Sequence, residues 1–221
     1  MSELKKFKGA ERLFTYKVAH DGGSAPNPYN GVCTLAICKP VIRRVAKVGD
    51  VIVGLGHGVD ERRLVYCMVV EENPIEWADY IQKCKCGMLP KEKVPRNDKD
   101  PGDCIWEHAD PNKQQKVRAS WSGHIEDDYE TDVRNGKRVI FSTTYWYFGC
   151  GDKFKFELPY DLVNIIPGRG HRSNGNNNFR DRFVEFFNQR LDELKISKLG
   201  IMGTPEHNAP DQLNKNSFAR C

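Results

Sequence analysis

The sequence of 221 residues predicts one α+β domain, in which short strands alternate with a few helices and long polar loops. Three observations predict this class. Runs of apolar and β-branched residues, such as 51–55, are too short for helices and have the composition of strands. Two segments, beginning at Pro40 and Phe179, place apolar residues at helical spacing. No internal repeat or interdomain linker divides the chain.

The first half of the chain is predicted to alternate strands with two helices. Its elements are a strand at 14–19, a strand at 32–38, a helix at 40–48, strands at 51–55 and 63–71, and a helix at 74–83. Pro40 suits the first turn of a helix, and the Gly49-Asp50 pair lets the chain turn at the end of that helix. Asn73 is the candidate N-cap of the second helix.

The second half of the chain contains longer loops. Its elements are a loop at 84–102, a short strand at 103–108, an irregular stretch at 110–135, a strand at 138–148, loops at 149–178, and a helix at 179–195. Alternation along the aromatic strand predicts that Tyr145 and Tyr147 share one face and that Trp146 lies on the other. We predict a single domain at 1–200, followed by a flexible tail at 201–221.

Composition limits where the protein is expected to be found and which groups it is expected to bind. The formal charge of +4 is too small to establish nucleic-acid binding, and no apolar run approaches the roughly 20 residues that cross a bilayer. The polar start of the chain lacks the apolar core of a secretory signal, so we predict a cytoplasmic protein. The eight cysteines form no CxxC pair, and Cys84 and Cys86 are too close together for usual zinc spacing. We interpret the cysteines as reduced and structural, and expect no metal and no cofactor.

The segment from Tyr16 to Gly56 resembles known families. Its CTLAICKP, VIRRVAKV, GD and VIVGLG segments resemble the opening of PUA-like barrels, the group of the ASCH, EVE and YTH domains. With LVYCMVV, GDCIWE, VIFSTTYWYFG and the final aromatic helix, the pattern resembles the second of the nucleotide-modification-associated domain families. The resemblance runs from Tyr16 to Leu191. It implies a PUA-like mixed β-barrel with flanking helices, and a role with modified DNA or nucleotides in a phage-related or bacterial modification or defence context.

The polar loop from His20 to Gly31 is the predicted wall of a binding pocket, because polar loops anchored by strands commonly form such sites. Asn27 offers a donor and an acceptor to a base edge, Asp21 accepts from an exocyclic amine, and Ser24 adds a hydroxyl. The alternative is structural: Asp21 and Asn27 make the hydrogen bonds of their own turns.

Aromatic and basic residues complete the predicted recognition site. Stacking of a base on an aromatic ring contributes about 1–3 kcal/mol, which offsets the cost of extruding the base. The predicted ligand-binding residues outside the loop are Lys39, Tyr66, Trp106, Tyr145 and Tyr147. The predicted phosphate-binding residues are Arg43, Arg44, Arg169 and Arg172. The alternative is that the aromatic residues belong to the core and that the arginines keep the surface soluble.

Two other functions remain open at this level. In an enzyme, His20 would act as a general base oriented by Asp21, and Lys39 or Arg43 would stabilise developing negative charge. Cys33 is a conceivable nucleophile, although its apolar neighbours favour an inert thiol. Such an enzyme would install, trim or remove a base modification. The other possibility is a protein-interaction module of a phage or defence complex.

Overall fold

The computed structural model describes residues 10–151 and 155–205. Its strands are β1 (Leu13–Lys17), β2 (Cys33–Leu35), β3 (Val51–Leu55), β4 (Leu64–Val69), β5 (Ile75–Glu76), β6 (Arg138–Ser142), β7 (Tyr145–Tyr147), β8 (His171–Arg172) and β9 (Gly200–Ile201). Its α-helices are α1 (Pro40–Val45), α2 (Trp77–Cys86) and α3 (Arg180–Glu193). Short 3₁₀-helices of three to six residues and one turn of π-helix at 130–135 occupy parts of the connecting loops.

The strands form two sheets. The larger sheet has the order β8-β1-β3-β4-β7-β9, with β1 parallel to β3 and β7 parallel to β9. The smaller sheet has the order β2-β6-β5 and is antiparallel. This arrangement is the mixed α+β fold that the sequence predicts. Within the described residues the strand pairing closes no barrel, so the PUA-like barrel stays a prediction.

Apolar layers cover both faces of the larger sheet. On one face, α3 packs against the sheet, and the ring centroids of Phe187 and Trp146 are 5.0 Å apart. On the other face, Tyr145 and Tyr147 join a cluster between the two sheets that also contains Tyr16. The predicted alternation of side chains along β7 is therefore confirmed.

The predicted strand at 138–148 is wrong in one respect, because it is two strands in different sheets. The chain turns between β6 and β7, where the Glu71 carboxylate accepts hydrogen bonds from the backbone N–H groups of Thr143 and Thr144. The second predicted helix also begins later than expected, at Trp77, because β5 pairs with β6 immediately before it.

A third apolar cluster covers the outer face of the smaller sheet. It contains Trp77 and Tyr80 of α2, together with Trp106 and Tyr129 from the long loops that follow. The same loops reach the junction between β2 and α1, where His124 and Asp132 contact Cys38.

Two predictions concern the ends of the chain and its environment. The predicted tail begins at Ile201, but this residue lies in β9 and the neighbouring Met202 N–H donates to the Tyr147 carbonyl. The remainder of that prediction, from residue 206, lies outside the described residues. No helix in the described ranges combines the length and apolarity that a membrane span requires.

Candidate functional site

The junction between β2 and α1 has an unusual backbone. Cys38 and Lys39 both have positive φ angles, 58° and 45°, in the left-handed region that non-glycine residues seldom adopt. The Cys38 N–H donates to Asp132 Oδ1 at 2.9 Å, and the Cys38 carbonyl accepts from Arg43 Nε at 2.6 Å. Pro40 then begins α1. The turn is thus fixed from both sides and holds the Cys38 side chain at the end of a strand.

Cys38, His124 and Asp132 form a connected series of polar side chains. Cys38 Sγ lies 3.7 Å from His124 Nε2, and His124 Nδ1 lies 2.8 Å from Asp132 Oδ2. Cys38 is 7% exposed, whereas Asp132 is completely buried. A sulfur, an imidazole and a carboxylate in this order are the nucleophile, base and orienting group of thiol-dependent catalysis.

Charge reinforces this arrangement. Burial lowers the pKa of His124, but the charge of Asp132 and its hydrogen bond to the ring oppose burial, and the net pKa is raised. Asp132 also accepts a hydrogen bond from Trp106 Nε1 at 3.3 Å. Its carboxylate lies 3.8 Å from the buried Arg43 guanidinium. The carboxylate is therefore fixed by several donors and can hold the imidazole in one orientation.

The oxidation state of Cys38 corrects a prediction from the sequence. Cys38 is disulfide-bonded in the structure, whereas all eight cysteines were predicted to be reduced. A thiolate at this position consequently requires prior reduction. Cys33, the nucleophile considered from the sequence, is a free thiol with no exposed surface, and burial raises its pKa to about 12. Cys33 is therefore chemically inert.

The polar loop is held by its own contacts. The Asp21 carboxylate accepts from the Tyr147 hydroxyl at 2.6 Å and from the Cys150 N–H at 2.7 Å. Asn27 pairs with Thr34 through its backbone, and its side-chain oxygen accepts from the buried Lys93 ammonium at 2.6 Å. These contacts join the loop to distant residues, whereas the alternative to base reading placed the hydrogen bonds of Asp21 and Asn27 within their own turns. His20 is exposed, and the structure leaves Asp21 buried beneath the surface.

The aromatic side chains predicted to stack on a base lie in the core. Tyr66 accepts a hydrogen bond from Tyr16 at 2.9 Å, and Tyr145 donates to the Pro28 carbonyl at 2.6 Å. Trp106 and Tyr147 are likewise fully buried. None of these four predicted stacking residues therefore presents a face to a ligand in this conformation.

The predicted phosphate-binding residues are spread over the molecule. Arg43 has no exposed surface and donates to the carbonyls of Cys38, Arg138 and Asp132, while burial lowers its pKa to about 10 against the opposing charge of Asp132. A phosphate cannot reach this guanidinium without opening the fold. The others, Arg44, Arg169 and Arg172, are exposed.

The polar loop nevertheless adjoins the Cys38 site. Gly22 packs so closely on the indole of Trp121 that a Cβ atom there would lie 2.8 Å from Trp121 Nε1. Trp121 Nε1 is buried and has no hydrogen-bond partner among the described residues. Ser24, 7% exposed, lies at this part of the loop. Since His124 is only three residues from Trp121, the segment 121–124 connects the loop to Cys38.

An open cavity of about 430 Å³ lies on the other side of the loop. Tyr29 and Asn30 of the loop form one wall, and Arg96 and Lys99 form part of the opposite wall. This volume is within the range of small-molecule sites. The cavity is therefore a second surface at which the predicted loop could contact a ligand.

Sequence reasoning missed all three residues of the Cys38 site. Cys38 was interpreted as part of an apolar strand, although a cysteine before Lys-Pro at a strand-to-helix junction was a usable signal. No local signal identifies His124 or Asp132, which are 86 and 94 residues from Cys38. Across the described ranges, no group of three or more His, Cys, Asp and Glu residues is arranged to hold a metal ion.

The family model described as "Nucleotide modification associated domain 2" matches residues 10–209, which is most of the chain. No curated protein and no solved structure matches the sequence.

Proposed function

This chain belongs to the nucleotide modification associated domain 2 family, and we propose that it is a thiol-dependent enzyme of that family. Its reaction would remove or trim an acyl substituent, joined by an amide or ester bond, on a modified base or nucleotide. The single observation that carries the proposal is the series from Cys38 through His124 to Asp132. The family name supports a nucleotide-related substrate. The geometry supports Cys38 in place of Cys33 as the nucleophile, and His124 in place of His20 as the general base.

The reaction divides into two steps with balanced proton transfers. In the first step, His124 Nε2 takes the proton of the reduced Cys38 thiol, and the sulfur attacks the acyl carbon. The bond to the nucleotide breaks, and the imidazolium returns the proton to the departing amine or hydroxyl. In the second step, His124 takes a proton from water and the hydroxide attacks the thioester. The C–S bond then breaks, the carboxylic acid leaves, and the imidazolium returns the proton to the Cys38 sulfur. Asp132 stabilises the imidazolium in both steps.

Lys39 supplies the positive charge nearest to Cys38 in the sequence. An acyl transfer develops negative charge on the carbonyl oxygen, which a fixed cation stabilises. The sequence assigned this role to Lys39 or Arg43. Because the donors of Arg43 are bonded to backbone carbonyls, Lys39 is the better candidate.

Recognition of a modified base in DNA, without chemistry, is the second candidate function. The observation that favours it is the 430 Å³ cavity between the polar loop and the segment 92–102. In this case Tyr29 would stack on the base and Arg96 or Lys99 would contact a phosphate. A phage-related or bacterial modification system would use either function.

One experiment separates these functions. The reduced protein is incubated with acyl-modified and unmodified nucleosides, nucleotides and short DNAs, and the products are measured by mass spectrometry. The enzyme hypothesis predicts loss of the acyl mass, a thioester adduct on Cys38, and loss of both signals in Cys38→Ser. The control is Cys86→Ser, at an exposed cysteine on α2, which should keep full activity.

The remaining outcomes are also informative. Preferential binding of modified DNA with no mass change would overturn the enzyme proposal and support recognition. Turnover that survives in Cys38→Ser would overturn the assigned nucleophile. Recovery of a protein partner that resists nuclease treatment, with neither binding nor turnover of nucleotides, would instead support an interaction module.

A further inference from the structure

Lys39 is a partly buried cation with an unusual environment. Its ammonium lies 5.1 Å from the centre of the Tyr16 ring, and burial lowers its pKa. Among the residues that the structure describes, Lys39 has no carboxylate partner, whereas Lys17 of β1 pairs with Glu61 at 2.9 Å. Cations withdrawn from water are normally paired with acids. A partly buried lysine without such a partner is therefore suited to an anionic ligand.

His171 provides a second basic group on the same face. In the register of β1 and β8, His171 stands opposite Tyr16, the residue whose ring lies beneath the Lys39 ammonium. The ring centroids of His171 and Phe14 are 6.4 Å apart. Burial lowers the pKa of His171, and the positive charge of Lys39 lowers it further. Arg172, the next residue, points to the opposite face of the strand.

Lys39 and the proposed nucleophile are consecutive residues of the chain. Lys39 directly follows Cys38 in the left-handed turn, with consecutive Cα atoms about 3.8 Å apart. The Lys39 carbonyl in turn accepts a hydrogen bond from the Arg43 N–H at 3.2 Å. An anion bound at Lys39 would therefore be held by the residue that directly follows the proposed nucleophile in the chain.

We propose that Lys39 and His171 form a phosphate-binding subsite next to Cys38, so that the substrate is a phosphate-bearing nucleotide or DNA and not a free base or nucleoside. This inference rests on the proposed function, since it names the substrate class of the same site. Lys39 supplies the charge and His171 donates a hydrogen bond from its ring. The phosphate comes either from a mononucleotide or from a DNA strand, and the experiment below distinguishes them.

The first test measures the electrostatic environment of Cys38 directly. The reduced protein is alkylated with neutral iodoacetamide and, separately, with anionic iodoacetate, and modification of Cys38 is followed by peptide mass spectrometry. A phosphate subsite predicts that Lys39→Gln lowers the iodoacetate-to-iodoacetamide rate ratio about 3- to 10-fold. Lys39→Arg should keep the ratio. Lys17→Gln is the matched control, because it removes an equal charge from β1 and should leave the ratio unchanged.

The second test identifies the source of the phosphate. Cys38 is alkylated with iodoacetamide in the presence of inorganic phosphate, a deoxynucleoside, its 5′-monophosphate, or a short DNA. We expect the monophosphate or the DNA to protect Cys38 at concentrations at which the deoxynucleoside does not. Stronger protection by DNA than by monophosphate identifies a strand as the substrate, and the reverse identifies a mononucleotide. Protection in either case should weaken at least about fivefold in His171→Gln, as for loss of a charge-assisted hydrogen bond.

The two hypotheses fail in different ways. If Cys38 reacts readily with iodoacetamide but the ratio is the same in Lys39→Gln and wild type, the phosphate subsite is refuted and the thiol enzyme is retained. Equal protection by the deoxynucleoside and its monophosphate refutes the subsite in the same way. If reduced wild-type Cys38 reacts with neither reagent, the proposed function fails, and the subsite fails with it.

Discussion

Replacing Asp132 with asparagine tests whether this carboxylate orients His124 for proton transfer. Asp132 Oδ2 faces two N–H donors, His124 Nδ1 at 2.8 Å and Trp106 Nε1 at 3.3 Å, while Oδ1 accepts from the Cys38 N–H at 2.9 Å. An amide cannot accept at both positions. In either orientation of the asparagine, its NH₂ group meets a donor that the carboxylate satisfied.

The expected magnitudes follow from these contacts. Asp132 is completely buried and lies 3.8 Å from the buried Arg43 guanidinium, so its neutralisation removes one partner of a buried ion pair. Such a change costs about 3–5 kcal/mol of stability. If the ring of His124 turns its Nδ1 into an acceptor, Nε2 carries the hydrogen and cannot take the thiol proton. Loss of the correct tautomer in a triad lowers turnover about 10⁴-fold.

The assay needs no knowledge of the substrate. The free energy of unfolding is measured with urea on the reduced protein, and the rate of Cys38 alkylation by iodoacetamide is measured at pH 7. We expect the Asp132→Asn rate to fall about tenfold or more, because less thiolate forms when His124 cannot accept the proton. A folded Asp132→Asn protein that alkylates at the wild-type rate would refute the reasoning.

Asp103→Asn is the matched control for this experiment. Asp103 is also completely buried, and it accepts from the hydroxyls of Thr34 and Tyr80 at 2.6 Å each. It has no histidine partner among the contacts of the described residues. The control should therefore lose stability and retain the alkylation rate of Cys38, which separates general destabilisation from loss of orientation.

Three further predictions concern stability. Arg43→Lys should lower the free energy of unfolding in urea by about 3–5 kcal/mol, because one ammonium cannot replace a guanidinium that donates to three carbonyls; a loss below about 1 kcal/mol would contradict this. Because the pKa of His124 is raised in the fold, its stabilisation is complete below the unfolded value near 6.5 and is lost as pH rises through the folded pKa. The difference between wild type and His124→Gln in urea titrations should thus shrink from pH 5.5 to pH 9, and growth over that range would show the opposite sign. Tyr147→Phe should cost about 1–3 kcal/mol in thermal or urea unfolding, since buried Asp21 loses a donor, and a neutral effect would mean that another donor replaces it.

Local patterns predicted much of the fold. The β-branched runs at 51–55 and 64–69 form central strands that are buried on both faces, and the helical spacing of phenylalanines from 179 onward gives α3, which buries one face. Segments whose structure depends on distant partners were predicted less well. Residues 75–76 became a strand only because β6 lies beside them, and Glu71 divides 138–148 by accepting hydrogen bonds at the turn.

At the candidate site, too, local patterns could be read from the sequence, whereas contacts between distant residues could not. The polar loop was recognised from its composition, but composition does not reveal that Asn27 is held by Lys93, a residue 66 positions away. The predicted stacking residues are aromatic and lie in the core, where tyrosine hydroxyls find partners within the protein. His124 lies in a stretch without periodicity, so only the folded chain shows that it meets Cys38.

The backbone of the β2-to-α1 turn gives an independent reason to assign function to Cys38. Left-handed φ angles at two successive non-glycine residues cost about 1–2 kcal/mol each. Glycine would adopt these angles at a lower cost. Here Asp132 and Arg43 make buried hydrogen bonds to the N–H and the carbonyl of Cys38. Position 136 is a glycine that packs against the Arg43 guanidinium, where no side chain would fit. Strain that is maintained by such surroundings is typical of active sites, and at this turn it places the sulfur against an imidazole.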